Sequence, residues 1–265
     1  MVLFAGQGDP RRAMALLWRT TGPARPAPVR PGPKPALTVD DIVAAAIELA
    51  DADGMAALSM RTVGDRLGRT AMALYTYVPS KAELLDLMYD HVLSELPTDY
   101  PLDDGWRGAL AAWAADLRAC YLRHPWVLGI SQARPTLGPH EFALRETLAT
   151  ILRATGLAPP ALRAVLGALL HFVHGVARVT AEVRQAAAAT GSSDEEWWYA
   201  RSGALAEVAP DLAERYPSAL WIESERAMPA DDELPYLEQE AAENFSTGLG
   251  VLLDGIAARA QRPAS

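Results

Sequence analysis

Apolar residues recur at helical spacing in short blocks through the first third of the chain. The first block begins after Thr38, a residue type that caps helices, and Asp53-Gly54 supplies a break that ends it. Between them four apolar residues form one stripe: Ile42, Ala46, Leu49 and Ala50. The pattern predicts an amphipathic helix with one buried face.

The next two blocks are short and are joined through a glycine. Ser59 is a good N-cap, so we predict a helix over Met60–Leu67 that ends at Gly68, where glycine can adopt a positive φ. Thr70 opens a second segment, TAMALYTYV, which Val78-Pro79 ends because the residue before a proline avoids the α region. Two short helices around a glycine turn predict a helix-turn-helix, whose second helix lies in the DNA major groove.

The remaining pattern is one of longer helices. A capping box at Ser80 to Glu83 opens a helix from Lys81 to about Leu96. Further helices are predicted over residues 106–123, 126–132, 142–155, 159–189, 195–208, 217–228 and 235–259. No run alternates as a strand does, so the predicted fold is all-α, with an N-terminal three-helix helix-turn-helix domain and a larger helical domain.

Residues 1–36 differ from the rest in composition. Proline and glycine are abundant there, and little in the stretch can be buried, so we predict disorder. Residues 1–37 contain six basic residues and one acidic residue. Two interpretations remain open: a flexible leader, or a basic arm that follows phosphates or enters the minor groove.

The charge of the helix-turn-helix region conflicts with DNA binding. The whole chain has a net charge of −9, and residues 38–96 contain four basic against ten acidic residues. A basic surface is the usual signature of a DNA-binding domain. Part of the conflict is local: Asp40 and Asp41 suit the first turn of a helix, and Asp51 and Asp53 can point away from DNA.

From about Leu37 to Leu96 the chain resembles the DNA-binding domain of the tetracycline-repressor (TetR/AcrR) family. The resemblance is carried by the runs TVDDIVAAAIELADADG, LSMRTVGDRLG and LYTYVPSKAELLDLM. In that family the recognition helix ends in Leu-Tyr-x-x-Val/Phe, followed by a lysine at the start of the next helix. Here those positions are Leu74, Tyr75, Val78 and Lys81. The resemblance implies a cytoplasmic transcriptional regulator, a repressor released from its operator by a small, largely apolar ligand.

The family pattern, together with side-chain chemistry, points to a set of DNA contacts. The N-terminal end of the recognition helix would face base edges, and hydroxyls and cations around it would contact phosphates. The candidate DNA-binding residues are Thr38, Ser59, Arg61, Arg69, Thr70, Ala71, Met72, Tyr75, Tyr77 and Lys81. No arginine or glutamine lies between Thr70 and Val78, so guanine reading or phosphate clamping would fall to Arg61 and Arg69. Tyr75 as a core residue and Lys81 as a solvated one are the alternatives.

The resemblance also sets the predicted organisation of the chain. It divides into an arm (1–36), a helix-turn-helix domain (37–82), and a ligand-binding and dimerisation domain (83–262) that begins with a connecting helix (83–96). The run FSTGLGVLLDGIAAR resembles the C-terminal helix of family members with large ligand domains. We therefore expect a homodimer through helices 159–189 and 235–259, bound to a near-palindromic double-stranded operator.

The candidate effector-binding residues are one methionine, several aromatic residues, and polar residues within apolar helices. They are Met88, Trp113, Trp126, His171, Phe172, His174, Arg178 and Trp198. Each also fits an ordinary core position. His171 and His174 lie three residues apart, but no third metal ligand accompanies them, so we predict no metal and no cofactor.

Several other classes lack support in the sequence. No nucleophile elbow, P-loop or dinucleotide fingerprint is present, so we do not expect an enzyme. The single cysteine, Cys120, excludes an internal disulfide and fits a small buried residue better than a redox sensor. No window approaches 18 charge-free apolar residues, so no membrane span is expected. The acidic 38–96 region leaves one alternative function, a helical small-molecule-binding protein with a vestigial DNA-binding head.

Overall fold

The computed structural model describes residues 3–19, 37–224 and 235–261, and within these ranges the fold is helical. Its elements are α1 (Pro10–Leu17), α2 (Val39–Ala57), α3 (Met60–Leu67), α4 (Ala71–Tyr75), α5 (Lys81–Leu93), α6 (Trp106–Arg123), the 3₁₀ helix η1 (Pro125–Gly129), α7 (Pro139–Arg153), α8 (Pro159–Thr190), α9 (Asp194–Val208), α10 (Leu212–Arg215), α11 (Pro217–Ser224) and α12 (Tyr236–Ala260). Apart from one isolated bridge between Leu3 and Ile130, these ranges contain no β-pairing. The all-α prediction is confirmed.

Helix boundaries follow the cap and break residues of the sequence closely. Helices α3 and α6 have the predicted bounds. Helix α2 runs on to Ala57, past Gly54, whose φ of 74° interrupts the helix where the break was predicted. The predicted helix over 217–228 is observed as α11 up to Ser224, and its last residues lie outside the described part of the chain.

The chain divides into two compact units. The first comprises Met1–His174 with Leu252–Ser265, and the second is Gly175–Val251. Helix α5 is the centre of the first unit, since it packs against α1, α2 and α7. Every residue from Glu83 to Asp90 is buried, including the predicted core positions Leu84, Leu87 and Met88.

The predicted disorder of residues 1–36 is wrong where the structure describes that stretch. Residues 3–19, which we call the strap, contain helix α1 and pack onto α5. Asp9 caps α1 by accepting the Arg12 N–H, and Ala5, Ala13 and Leu17 are buried. The strap is held on α5 by these three buried side chains and by hydrogen bonds from its backbone to the acidic residues Glu83 and Asp86. Residues 20–36 lie outside the described residues.

The second unit exposes much apolar surface. Helix α9 has no buried residue, and Trp198, Tyr199, Trp221 and Ile222 are all more than half exposed. An ion pair between Arg184 and Glu238 joins α8 to α12 within this unit. Large exposed apolar patches mark interaction surfaces in soluble proteins.

Helix α8 is long and apolar enough to cross a membrane by length and composition, with a mean hydropathy of 1.4 over its best window. It is the one such helix among the residues described, and only 28% of that window is buried. A helix that packs against another subunit passes the same test, so this feature is weak evidence for a membrane span.

Candidate DNA interface and effector site

The turn between α3 and α4 has the close backbone packing of a helix-turn-helix. Ser59 caps α3 by accepting the Thr62 N–H at 3.1 Å, and Gly68 ends the helix with a left-handed φ of 64°. A Cβ placed on Gly64 would lie 2.7 Å from the carbonyl oxygen of Arg69. Gly64 therefore lets the turn fold back onto α3, a requirement that the sequence pattern did not indicate.

Helix α4 presents its N-terminal end to solvent. Thr70 caps it and accepts the Ala73 N–H, while Leu74 and the following Val78 anchor it in the core. Met72 is 74% exposed and Tyr75 is 42% exposed. The predicted base-facing residues Thr70, Ala71 and Met72 thus lie together at the accessible end of the helix.

The cations around this surface differ in how far they are already engaged. Arg69 forms no ion pair or side-chain hydrogen bond with the described residues, and Arg61 makes only a long contact of 3.9 Å to Asp65. Lys81 remains exposed, but its Nζ donates to the carbonyl oxygen of Leu58 at 2.6 Å. Lys81 therefore also joins the start of α5 to the chain before α3.

The predicted hydroxyl contacts are similarly divided. Thr38 and Ser59 both use their side chains in capping boxes, with Asp41 and Thr62 respectively. Tyr75 is exposed and Tyr77 is half-buried, and neither hydroxyl bonds within the described residues. Thr38 and Ser59 would have to give up a capping bond to reach a phosphate with their side chains, whereas Tyr75 and Tyr77 would not.

Several acidic groups of the 38–96 region are paired with an arginine or buried. Asp40 pairs with Arg19, Glu48 with Arg66, and Glu95 with Arg123. Three further carboxylates, Glu83, Asp86 and Asp90, are buried on α5. Part of the negative charge that conflicts with DNA binding in the sequence is therefore neutralised by ion pairs or buried.

The three buried carboxylates on α5 each bind backbone N–H groups. Glu83 accepts the N–H of Asp9, and Asp86 accepts that of Gly6. Asp90 accepts the N–H groups of His140 and Glu141 and so satisfies the first turn of α7. Spacings of three and four residues place all three on one face of α5.

Burial affects these carboxylates differently. It raises the pKa of Asp86 and of Asp90, against the opposing effect of their backbone N–H donors. For Glu83 burial also acts upward, but hydrogen bonds from Ser80 and from backbone N–H groups leave the pKa below its ordinary value. Glu83 is thus the best-stabilised anion of the three.

His124 joins the helix-turn-helix domain to the rest of the first unit. Its buried ring places Nδ1 2.9 Å from the carboxylate of Asp51 on α2 and Nε2 3.1 Å from that of Glu95. The Trp126 indole N–H also donates to Asp51, at 2.8 Å. The sequence pattern does not predict this joint, because Asp51, Glu95 and His124 lie far apart along the chain.

The candidate effector residues fall at several places in the fold. Met88 and Trp113 are buried, and Trp126 is buried at the joint just described. His174 packs edge-on against Tyr121 at 5.7 Å, whereas His171 is exposed. In the second unit Arg178 is exposed and pairs with Glu182, and Trp198 is exposed on α9.

Trp113 has an unusual polar environment. Its side chain is 2% exposed, and its indole N–H has no hydrogen-bond partner among the described residues. A buried donor without an acceptor is costly. A bound molecule with an acceptor oxygen would satisfy this donor.

A separate cleft opens beside the strap. Its empty space, open solvent included, is about 230 Å³. It is lined by Ala5, Tyr89, Ile130, Ser131, Gln132, Arg134, Pro135, Thr136, Glu141 and Arg145, and none of the candidate effector residues is among them. The cleft is polar, and the strap forms part of its wall.

Neither metal binding nor thiol chemistry finds a geometric basis in the part of the chain that the structure describes. No three histidine, cysteine or acidic side chains there are grouped so as to hold a metal ion. Cys120 is buried, and burial raises the pKa of its thiol to about 12. A thiol with so high a pKa is a poor nucleophile and redox sensor.

Comparison with known proteins agrees with this geometry. Residues 42–88 match "Bacterial regulatory proteins, tetR family", and residues 98–260 match "Tetracyclin repressor-like, C-terminal domain". The chain belongs to the TetR family. The TetR-family resemblance drawn from the sequence is therefore confirmed.

This TetR-family chain is similar to regulators from Streptomyces and Saccharopolyspora. The HTH-type transcriptional repressor DrrR1 of Streptomyces coeruleorubidus is 40% identical over 255 residues, which cover 95% of this chain and 87% of DrrR1. An HTH-type transcriptional regulator of Saccharopolyspora erythraea is 39% identical over 142 residues, covering 54% of this chain and 60% of that relative. ActR of Streptomyces coelicolor in complex with actinorhodin is similar in structure, with a TM-score of 0.68 and 25% identity over 87% of this chain and 100% of ActR.

Proposed function

We propose that this chain is a homodimeric transcriptional repressor that acts in the cytoplasm and leaves its operator when a small, largely apolar molecule binds. The observation that carries the proposal is the exposed N-terminal end of α4, beside which the Arg69 side chain forms no ion pair with the described residues. The likeness to the repressor DrrR1 over 95% of the chain supports repression as the outcome of DNA binding.

Each subunit would place α4 in one half-site of a near-palindromic operator. Dimers of helix-turn-helix proteins read half-sites about 34–36 Å apart, one turn of DNA. Helices α8 and α12 would form the dimer interface, where Val179 and Val251 are more than half exposed. Arg61, Arg69, Tyr75, Tyr77 and Lys81 would contact phosphates or bases.

The effector would bind in the C-terminal domain. The complex of ActR with actinorhodin supports an effector site in a protein of this fold and family. The indole N–H of Trp113, which has no hydrogen-bond partner among the described residues, supports a ligand with a hydrogen-bond acceptor. Ligand and operator must weaken each other by the same factor, since both equilibria share the same protein states.

The test is binding to a fluorescent duplex from the region upstream of the chain's own gene. Arg69→Ala should weaken binding to every duplex and lower the salt dependence by about one phosphate contact. Arg153→Ala, an exposed arginine on α7, is the matched control and should leave affinity unchanged. Actinorhodin serves as the first effector probe, added to the preformed complex.

A second candidate, a small-molecule-binding protein with a vestigial head, predicts a different result. It requires that wild-type affinity for the duplex be negligible at low salt, with no effect of Arg69→Ala. That result would refute repression and leave ligand binding intact.

A further inference from the structure

The strap, residues 3–19, binds the segment that follows η1. The Leu3 N–H donates to the Gly129 carbonyl at 2.9 Å, and the Ser131 N–H donates to the Leu3 carbonyl at 2.7 Å. Near its other end the Trp18 indole N–H donates to the Leu137 carbonyl at 2.9 Å, and the ring packs on Phe142. Both ends of the strap therefore contact residues 129–142, which comprise the segment before α7 and its first turn.

The strap also binds the helix-turn-helix domain and its exit. Arg19 forms an ion pair with Asp40 on α2. The Asp9 N–H donates to Glu83 at 3.1 Å, and the Gly6 N–H donates to Asp86 at 2.8 Å. Glu83 lies two residues after Lys81, which itself holds Leu58. The strap thus spans from residues 129–142, across α5, to α2.

The contact between strap and α5 is a close fit. A Cβ on Gly8 would lie 2.5 Å from the carboxyl carbon of Glu83, so the Glu83 carboxylate would have to move from its present position between Ser80 and Asp9. Glu83 and Asp86 are each 3% exposed or less, and without the strap their N–H donors from Gly6 and Asp9 would be lost. These hydrogen bonds from backbone N–H groups to carboxylates favour the docked position of the strap. A tail that rested passively on the surface would need neither feature.

We propose that the strap is a positioning element, which holds the DNA-binding head (residues 37–82) at a fixed orientation to the segment 125–142. It does so because its contacts lie on both sides of α5, the helix that connects the two. Ala5 also lines the cleft beside Tyr89, so a molecule bound in that cleft would contact the strap. The expected effect on operator affinity rests on the proposed DNA-binding function. The expected restraint of the head by the strap does not.

The mechanics are tested by hydrogen exchange on the full-length protein without DNA. Gly8→Val adds a side chain that overlaps the Glu83 carboxylate and so disturbs its contact with the strap, and Leu3→Pro removes the N–H that binds Gly129. Gln7→Val is the control, because residue 7 is exposed, lies next to the same contact, and has a side chain that donates only to the Ala5 carbonyl within the strap. Both strap variants should speed amide exchange in α5 and in the first turns of α2 by about threefold or more, as local restraint is lost. Exchange that changes only in the strap itself would overturn the proposal.

The consequence is tested with the operator duplex used for Arg69→Ala. An unrestrained head spends a smaller fraction of time in the orientation that fits both half-sites, which raises the apparent Kd in proportion. Gly8→Val and Leu3→Pro should each weaken binding by about threefold or more, and Gln7→Val should not. Unchanged or tighter binding by the strap variants, with wild-type protein bound normally, would overturn the positioning role while leaving the proposed function standing.

Discussion

At the residue scale, a few buried polar side chains connect the helix-turn-helix domain to the rest of the first unit. His124 contacts Asp51 on α2 and Glu95 after α5, so one imidazole holds two elements that are far apart in sequence. Asp51 also accepts the Trp126 N–H. These contacts give the joint a defined geometry, because charge-assisted hydrogen bonds are directional as well as strong.

We expect His124→Phe to destabilise the protein. The substitution keeps a ring of similar size but removes both hydrogen bonds and leaves the two carboxylates with fewer partners. A loss of about 1–3 kcal/mol in the free energy of unfolding follows from such unsatisfied groups. Urea denaturation measures it, and His91→Phe, a histidine on α5 outside the joint, is the control. An equal loss in both variants would contradict the role assigned to His124.

We expect Asp86→Asn to alter the pH dependence of stability. Between the unfolded pKa, near 3.8, and the raised folded pKa, the folded chain holds more protons than the unfolded chain at this site. The free energy of unfolding therefore falls as the pH rises through this window. Asparagine does not ionise and keeps an oxygen for the Gly6 N–H, so the variant should lack this fall.

Thermal melts from about pH 4 to about pH 8 compare the two proteins across that window. Relative to wild type, Asp86→Asn should be more stable at the upper end than at the lower end. Asp53→Asn, at an exposed position on α2, should track the wild type throughout. A wild-type curve parallel to that of Asp86→Asn would show that burial of this carboxylate has no such effect.

At the element scale, the helix-turn-helix depends on backbone packing as much as on its caps. The approach of Gly64 to Arg69 fixes how α4 projects from α3, and Leu74 and Val78 hold α4 down. Helix α4 has five residues and is too short to be stable alone. Its orientation is therefore set by tertiary contacts.

We expect Gly64→Ala to weaken DNA binding. The added methyl group would lie 2.7 Å from the Arg69 carbonyl oxygen and 3.3 Å from the Ala71 nitrogen, so the turn must shift. Overpacking of this kind costs about 1–3 kcal/mol and would displace α4. Gly108→Ala on α6 has open space and should be neutral or stabilising by about 0.5–1 kcal/mol. Duplex affinity and thermal melts of both variants measure the difference, and equal behaviour would rule out the packing argument.

The sequence predicted the helices well because each has local signals at its ends. Ser59, Gly68 and Pro79 act through the backbone within a few residues, and cap chemistry does not depend on the rest of the fold. The strap was missed for the opposite reason. The strap binds through backbone N–H groups that donate to Glu83 and Asp86 on α5. These acceptors lie 74 and 80 residues away from their donors in the sequence.

The same limit applies to the candidate site. The exposed end of α4 followed from the motif, whereas the acidic residues of the 38–96 region looked unfavourable because their partners were unknown. Arg19, Arg66 and Arg123 neutralise three of them, and only the first lies in the basic N-terminal stretch. Trp126 is a candidate effector residue by residue type, and the sequence does not predict that its indole N–H donates to Asp51.

At the scale of the whole molecule, the exposed apolar residues of the second unit favour assembly. Val179 on α8 and Val251 on α12 lie on the helices proposed to form the dimer interface. The aromatic residues of α9 and α11 add a further exposed apolar surface. A two-fold dimer uses the same patch on both subunits, so each substitution counts twice.

We expect Val251→Glu to shift the protein towards the monomer. A buried, unpaired carboxylate on each side of the interface opposes association by desolvation and by like-charge repulsion. Light scattering after gel filtration measures the mass over a range of concentrations. Val208→Glu on α9 is the control outside α8 and α12, since that valine is 80% exposed. Dissociation by Val208→Glu alone would place the interface on α9 instead.

The position of the strap in the chain has a consequence for building hybrid regulators. It precedes the DNA-binding head in sequence but docks partly on residues 129–142, which follow it. A crossover placed after α5 would therefore transplant a donor's head together with the donor's strap, and that strap would meet a foreign surface. Hybrids that exchange only residues 37–82 retain Leu3, Gly6 and Trp18 opposite their own partners. Such hybrids should acquire the donor's operator specificity and retain more of the effector response than hybrids made by a crossover after α5.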